Sequence, residues 1–150
     1  SPYDVKKTGT EVHYLGYYTK WHPQEVYYYS VENTNFMPND SRTEGSYSKY
    51  SGLDDKIEWL HFHTTSIKFG IGRATYDSAQ SIRNGDIVRE EGIALIKRFD
   101  GEFPNEYIKD CCDYMDITMQ EYHDAIEKFR SPHLWHKVNG VWELKNPIWK

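Results

Sequence analysis

Residues 57–71 constrain the fold most, because they are apolar along two helical faces at once. Ile57, Leu60, Thr64, Ile67 and Ile71 recur at helical spacing on one side, and Trp59, Phe62, Ser66 and Phe69 line another. A surface helix has a single apolar stripe, so a helix apolar on two sides is covered on both. The segment reads as a central helix ended by Gly70-Ile71-Gly72. Ser51 with Asp54 three residues later resembles a capping box that opens it.

The remaining elements must wrap this centre. Pro23 suits the first turn of a helix running to Asn33. Residues 11–21, Glu-Val-His-Tyr-Leu-Gly-Tyr-Tyr-Thr-Lys-Trp, are rich in strand formers and read as a short strand. Residues 35–52 are rich in Asn, Ser, Gly, Asp and Pro and form the longest loop, a length that is often functional or mobile. A helix over 73–83 is stopped by Asn84-Gly85. Asp86–Phe99 and Asp116–Phe129 echo each other as helices; Thr118 and Glu121 make a capping box, which Val88 spoils in the first copy. Asn105–Tyr114 is a further helix. Asn139-Gly140 between alternating runs in 134–144 is the signature of a type I′ hairpin. The expected fold class is mainly α: about six helices, a short N-terminal strand and a C-terminal β-hairpin. The expected organisation is one domain over 1–150, with a strand or linker at 1–21, a helical part at 22–130 and a hairpin tail at 131–150.

Composition narrows the class. The 150 residues include 13 Tyr, 6 Phe and 5 Trp, too many aromatics for a disordered chain. A net charge of −5 argues against a general polyanion binder, so no nucleic acid partner is expected. No apolar run approaches the roughly 18 residues of a membrane span. The two cysteines, Cys111 and Cys112, are adjacent and form no metal knuckle. Reduced thiols in a cytoplasmic protein are the simplest expectation.

Residues 67–77, Ile-Lys-Phe-Gly-Ile-Gly-Arg-Ala-Thr-Tyr-Asp, hold the densest chemistry. Lys68 lies late on the central helix, where an unpaired ammonium is costly if buried. Arg73 opens the next helix, whose free N–H groups attract anions. With Thr75 and Asp77 they suit a pocket for a phosphate or carboxylate, Asp77 orienting Arg73. The alternative is that Lys68 and Arg73 snorkel while Asp77 caps the helix or pairs with Arg73. Trp21-His22-Pro23-Gln24-Glu25 sets an aromatic, an amide and a carboxylate at a helix start, an arrangement that suits a sugar face or a hydrophobic staple. His61 and His63 are two apart, a spacing poor for shared metal ligation, and His133 and His136 lack a third ligand. No metal site is expected. Phosphate-binding loops of the G-x-x-x-x-G-K-[ST] type are absent.

Leu15-Gly16-Tyr17-Tyr18 through Trp21-x-Pro23-Gln24-Glu25, Leu53-Asp54-Asp55-Lys56-Ile57, the 67–77 block, Ile82-Arg83-x-Gly85-x-Ile87-x-Arg89-Glu90-Glu91 and Asp100-Gly101-Glu102-Phe103-Pro104 together resemble the N-acetyl sugar amidotransferase family of lipopolysaccharide and related surface-sugar biosynthesis. The resemblance spans residues 14–130 in order and lies in the family's C-terminal part. Val88 departs from it at a capping Thr. It implies an ATP-pyrophosphatase-type enzyme that adenylates the acetamido carbonyl of a nucleotide-linked sugar, after which ammonia gives the acetamidine. ATP and Mg are implied for the full-length enzyme, bound mainly by an N-terminal part, with none in this fragment alone. The chain then reads as an excised C-terminal domain, inactive by itself. Partners implied are a nucleotide-linked N-acetyl sugar and an ammonia-supplying glutaminase, with a homodimer as a further expectation. Lys68 and Arg73 become the catalytic candidates, facing phosphate groups, and Trp21, Gln24, Glu25, Thr75 and Asp77 the substrate-binding ones. The competing expectation is a non-catalytic helical domain for dimerisation or glutaminase docking, for which the Tyr27–Tyr29 cluster and the aromatic hairpin are suited.

Overall fold

A computed structural model describes all 150 residues. The chain is mostly helical: α1 (Pro2–Thr8), α2 (Leu15–Tyr18), α3 (Pro23–Asn33), α4 (Ile57–Phe69), α5 (Arg73–Asn84), α6 (Arg89–Phe99), α7 (Ile108–Met115) and α8 (Met119–Phe129), followed by the antiparallel hairpin β1 (Trp135–Val138) and β2 (Val141–Leu144). No helix is long and apolar enough to cross a membrane. The chain divides into two compact units, Ser1–Met37 and Pro38–Lys150.

In the first unit, Asp4 and Ser1 box the start of α1, and Pro23 sits at the first turn of α3. The His22 Nδ1 accepts the Glu25 N–H at 3.3 Å, closing an orphan donor of that turn. The strand expected over 11–21 is not formed. Residues 11–14 have no regular structure, and 15–18 coil into one helical turn, with the Tyr17 N–H on the Tyr14 carbonyl and the Thr19 N–H on that of Leu15. A strand needs a neighbour for its N–H and C=O groups; the only sheet is the hairpin, so these residues pair locally.

In the second unit, the middle of α4 is covered on both faces as its pattern requires, whereas Ile57, Phe69 and Ile71 at the ends of the pattern are exposed. Leu60 and Ile67 join Ile108, Cys111, Cys112, Tyr122 and Ile126 in the core that α7 and α8 complete. Burying a side chain such as Ile67 contributes about 1.5–3 kcal/mol. The opposite face is covered by the 43–52 loop: a Cβ on Gly45 would lie 3.3 Å from that of Phe62, and Gly52 abuts the same ring. The loop is therefore packed, and Thr43, Ser46, Ser48 and Ser51 are buried. Their polar groups bond one another: Thr43 N–H to the Ser48 carbonyl at 2.9 Å, Ser46 N–H to the Thr43 carbonyl at 3.0 Å and Thr43 Oγ1 to the Ser51 carbonyl at 2.5 Å. Ser51 does not cap α4. That role falls to Asp55, which accepts the Glu58 N–H at 2.9 Å.

Helix ends follow local chemistry. Gly70 (φ 71°) and Gly85 (φ 84°) close α4 and α5 in the left-handed region. Thr118 and Glu121 form the expected box, so α8 begins at Met119, and α6 begins at the matching Arg89 after an uncapped Val88. Gly92 lets α6 lie close against α5, since a Cβ there would reach within 2.7 Å of Ile82. In the hairpin Trp135 pairs with Leu144 and Val138 with Val141, and Asn139 (φ 51°) and Gly140 (φ 82°) make the tight turn.

One clamp fastens the loop. Arg42 donates to both Glu102 oxygens at 2.7 and 2.6 Å, and the Gly45 N–H donates to the same carboxylate at 2.9 Å. Burial alone would raise the Glu102 pKa, but the Arg42 and Gly45 hydrogen bonds outweigh it and hold the carboxyl below its ordinary value. For His63 burial acts in the opposite sense and pushes the pKa down, against its bond to the Glu102 carbonyl at 3.1 Å. Both folded pKa values lie below the unfolded ones, so the stability they confer is present above the ordinary 6.5 of His63 and 4.5 of Glu102 and is lost as pH falls below each. The thermal midpoint should drop from about pH 7 to about pH 5 and further below it. The pair is partly exposed, so Glu102→Gln should cost about 1–2 kcal/mol near neutrality and flatten the acid limb below about pH 4.5. Denaturant melts at each pH check this; an unchanged acid limb in the variant contradicts the clamp.

Candidate functional site

The Gly70–Gly72 bend between α4 and α5 positions the site, and its chemistry is set by carboxylates that arrive from elsewhere in the chain. Asp100, following α6, accepts the Gly72 N–H at 2.8 Å, the Thr75 N–H at 3.0 Å and the Thr75 hydroxyl. The N-terminus of α5 does attract an anion, as its free N–H groups dictate, and that anion is the chain's own Asp100. The approach is close: a Cβ at position 72 would lie 2.8 Å from Asp100 Oδ1. Thr75 is thereby turned toward Asp100 and away from Arg73.

Arg73 and Asp77 meet as expected, Nε to Oδ1 at 2.8 Å one helical turn apart. Two buried serines complete the cluster: Ser46 donates to Asp77 Oδ2 at 2.5 Å, and Arg73 Nη2 donates to Ser51 Oγ at 3.2 Å. The guanidinium also lies 4.9 Å from the Phe62 ring centroid. Asp77 is held at 16% exposure while Arg73 keeps 35%. Of the five guanidinium N–H donors the chain uses two. The result is a braced cation with an open side.

Lys68 stands apart. It is exposed, and its ammonium lies 5.3 Å from the centroid of its own neighbour Phe69. Neither Lys68 nor Arg73 lines the groove of about 780 Å³ between the α4–α5 elbow, α6 and the hairpin tail, although Thr75 and Asp100 do. Trp21, Gln24 and Glu25 belong to the first unit at the start of α3; Trp21 and Glu25 are exposed and Gln24 is half-buried. His61 is exposed beside Glu58, whereas His63 is buried. Cys111 and Cys112 are buried free thiols, with pKa values that burial pushes up. No group of three or more His, Cys, Asp or Glu is placed to hold a metal ion.

Sequence reasoning assigned no site role to Arg42, Ser46, Asp100 or Glu102, and read Ser51 only as a helix cap. The signal for the last two lay in Asp100-Gly101-Glu102, two carboxylates around a glycine directly after a helix. The Asp100 cap predicts non-additivity. Asp100→Ala should cost about 1–2 kcal/mol, and Gly72→Ala should destabilise through the crowding at Oδ1. In the Asp100→Ala background, Gly72→Ala should cost measurably less, because its clash partner is gone. Thermal or urea unfolding of the four-member cycle reads this; additive costs would contradict it.

Residues 44–148, well over half of the chain, match the family described as "LPS biosynthesis protein WbpG-like, C-terminal domain". A comparison with curated proteins returns no match. The matched range takes in the packed loop from residue 44 onward, the α4–α5 bend with its Arg73–Asp77 pair, the Asp100–Glu102 turn and the hairpin. The chain belongs to the WbpG-like C-terminal domain family of lipopolysaccharide biosynthesis proteins.

Proposed function

We propose that this domain completes the active site of an ATP-dependent amidotransferase acting on a nucleotide-linked N-acetyl sugar. The observation that carries the reading is Arg73: braced by Asp77, Ser51 and the Phe62 ring, one-third exposed, and with three N–H donors unspent. A fixed cation of this kind suits a reaction in which negative charge grows on phosphate oxygens. The family's place in lipopolysaccharide biosynthesis supports a sugar substrate.

The proposed reaction balances as follows. The acetamido carbonyl oxygen attacks the α-phosphorus of ATP, and pyrophosphate leaves. Ammonia from a glutaminase adds to the activated carbon, and AMP departs with the former carbonyl oxygen, leaving the acetamidine. The nucleotide and its magnesium are assigned to a nucleotide-binding part of the enzyme. Arg73 orients and stabilises the phosphate oxygens, Asp77 and Ser51 hold its plane, and Ser46 holds Asp77. Lys68 is assigned as a second, exposed cation. Thr75 acts indirectly, through the Asp100 cap that fixes the bend. Trp21, Gln24 and Glu25 are assigned to the sugar.

In an enzyme that carries the nucleotide-binding part, Arg73→Ala should lower kcat by about 10²–10³-fold. Arg73→Lys should recover little, because one ammonium does not reproduce the guanidinium fork. Lys68→Ala should have a smaller effect. The assay is AMP release together with exchange of carbonyl oxygen for NH in the sugar's mass spectrum. Unchanged turnover in Arg73→Ala overturns the assignment.

A second reading, docking of the glutaminase or of a second copy without a catalytic role, is favoured by the exposed aromatics of the first unit, among them Tyr14, Tyr17, Tyr28 and Tyr29. The two readings separate when free ammonia replaces the glutaminase: a docking defect is bypassed, a phosphate-site defect is not. Trp21→Ala should weaken nucleotide-sugar affinity about three- to tenfold by removing a stacking face. Equilibrium binding measures this, and unaltered affinity removes Trp21 from the sugar site.

A further inference from the structure

The groove of about 780 Å³ contains a cation that the proposed reaction does not use. Arg130 follows the last residue of α8, and its side chain is 12% exposed. The guanidinium lies 4.6 Å from the Trp135 ring centroid and 5.6 Å from that of Trp142. Its Nε is buried and has no hydrogen-bond acceptor. Glu127 Oε1 stands 3.6 Å away, an ion-pair distance too long for a hydrogen bond. The Glu127 oxygens are meanwhile engaged by Trp142 Nε1 at 2.7 and 2.8 Å and by Lys137 at 3.3 Å.

Indole faces offset part of the cost of burying this charge, but they do not replace an oxygen acceptor. Burial accordingly pulls the Arg130 pKa below its ordinary value. The walls around it are fixed: Trp135 Nε1 donates to the Ile67 carbonyl at 2.8 Å, and Trp142 is tied to Glu127. Lys97 and Lys150 line the same groove together with two carboxylates, Glu143 on the hairpin and Asp100, the latter committed to Gly72 and Thr75. Trp149 faces the groove as well. An under-satisfied guanidinium between rigid indoles, in a concavity large enough for a sugar phosphate, lacks one component: an anion with a flat or apolar face attached.

We infer that this groove is an anion-binding subsite for the diphosphate of a sugar nucleotide, with Arg130 taking the charged oxygens and Trp142 and Trp149 covering the ring beside them. The identity of the ligand rests on the reading under Proposed function; the anion site itself does not. The site is distinct from Arg73, which lies outside the groove lining.

The test uses the 150-residue chain, with inorganic pyrophosphate and uridine diphosphate-N-acetylglucosamine as probes. Both should quench tryptophan fluorescence and shift the Arg130 Nε–H resonance in the wild type. The nucleotide sugar should bind the tighter of the two. Arg130→Gln should weaken both probes about tenfold. If that variant fails to fold, Lys97→Gln should weaken pyrophosphate about twofold to threefold, and the wild-type Arg130 resonance remains as an independent readout. The subsite is overturned if neither probe binds at millimolar concentration, if Arg130→Gln binds as the wild type does, or if the Arg130 resonance stays fixed at saturation. Pyrophosphate binding without binding of the nucleotide sugar overturns the sugar assignment. Turnover lost in Arg73→Ala with probe binding intact leaves both readings standing; turnover kept in Arg73→Ala removes the proposed role of Arg73 without touching the groove.

Discussion

The second unit depends on one turn, Asp100-Gly101-Glu102, whose three residues each hold a different element. Asp100 caps α5 through two backbone N–H groups and the Thr75 hydroxyl. Gly101, at φ 75°, passes so close to α4 that a Cβ would lie 2.9 Å from Ser66 Oγ. Glu102 grips Arg42 and the Gly45 N–H, and its carbonyl accepts from His63. The carboxylate bonds among them are charge-assisted and partly sheltered, the conditions under which a hydrogen bond contributes most. Without that turn the 43–52 loop would lose its charged clamp and keep over Phe62 only its ties to α5, through Ser46 to Asp77, Ser51 to Arg73 and the Gly45 carbonyl to the Ala74 N–H.

The same economy explains the two arginines. Arg73 was placed by its helix beside Asp77, four residues on, and the loop then delivered Ser46 and Ser51 to finish the cluster. A carboxylate from a distant turn took the helix N-terminus that would otherwise call for an external anion. Arg130 has the opposite history: the hairpin brought Trp135 and Trp142 against it and sheltered it from water, yet no carboxylate came within hydrogen-bonding reach of its Nε. One cation is balanced internally and braced; the other is left short of an acceptor.

Much of the fold was legible along the chain because it is written in local rules. The two-faced pattern of 57–71, the Thr118–Glu121 box, the Asn84-Gly85 stop and the Asn139-Gly140 turn each depend on neighbours within a few residues, and each is found in place. Residues 11–21 misled because strand-forming side chains cannot make a strand without a partner, and none is present. Ser51 matched a capping pattern in spacing, but its carbonyl and hydroxyl were drawn to Thr43 and Arg73, and Asp55 took the cap. Of the candidate site, the i, i+4 pair Arg73–Asp77 could be read directly. The separation of Lys68 and the turning of Thr75 toward Asp100 could not.

The sequence by itself determined which segments from α3 onward are helical, where most of them stop, that α4 lies at the centre, and that Arg73 and Asp77 share a helix face; it did not give α1 and α2. Periodicity and capping act over one or two turns, so a linear reading suffices for them. Only the tertiary structure decided which acid satisfies which base. Glu102 reaches Arg42 across 60 residues and Asp100 reaches Thr75 across 25, and Arg130 is enclosed by a hairpin that leaves its Nε without an acceptor. Electrostatic partnership depends on distance and burial in space, and neither is encoded in spacing along the chain.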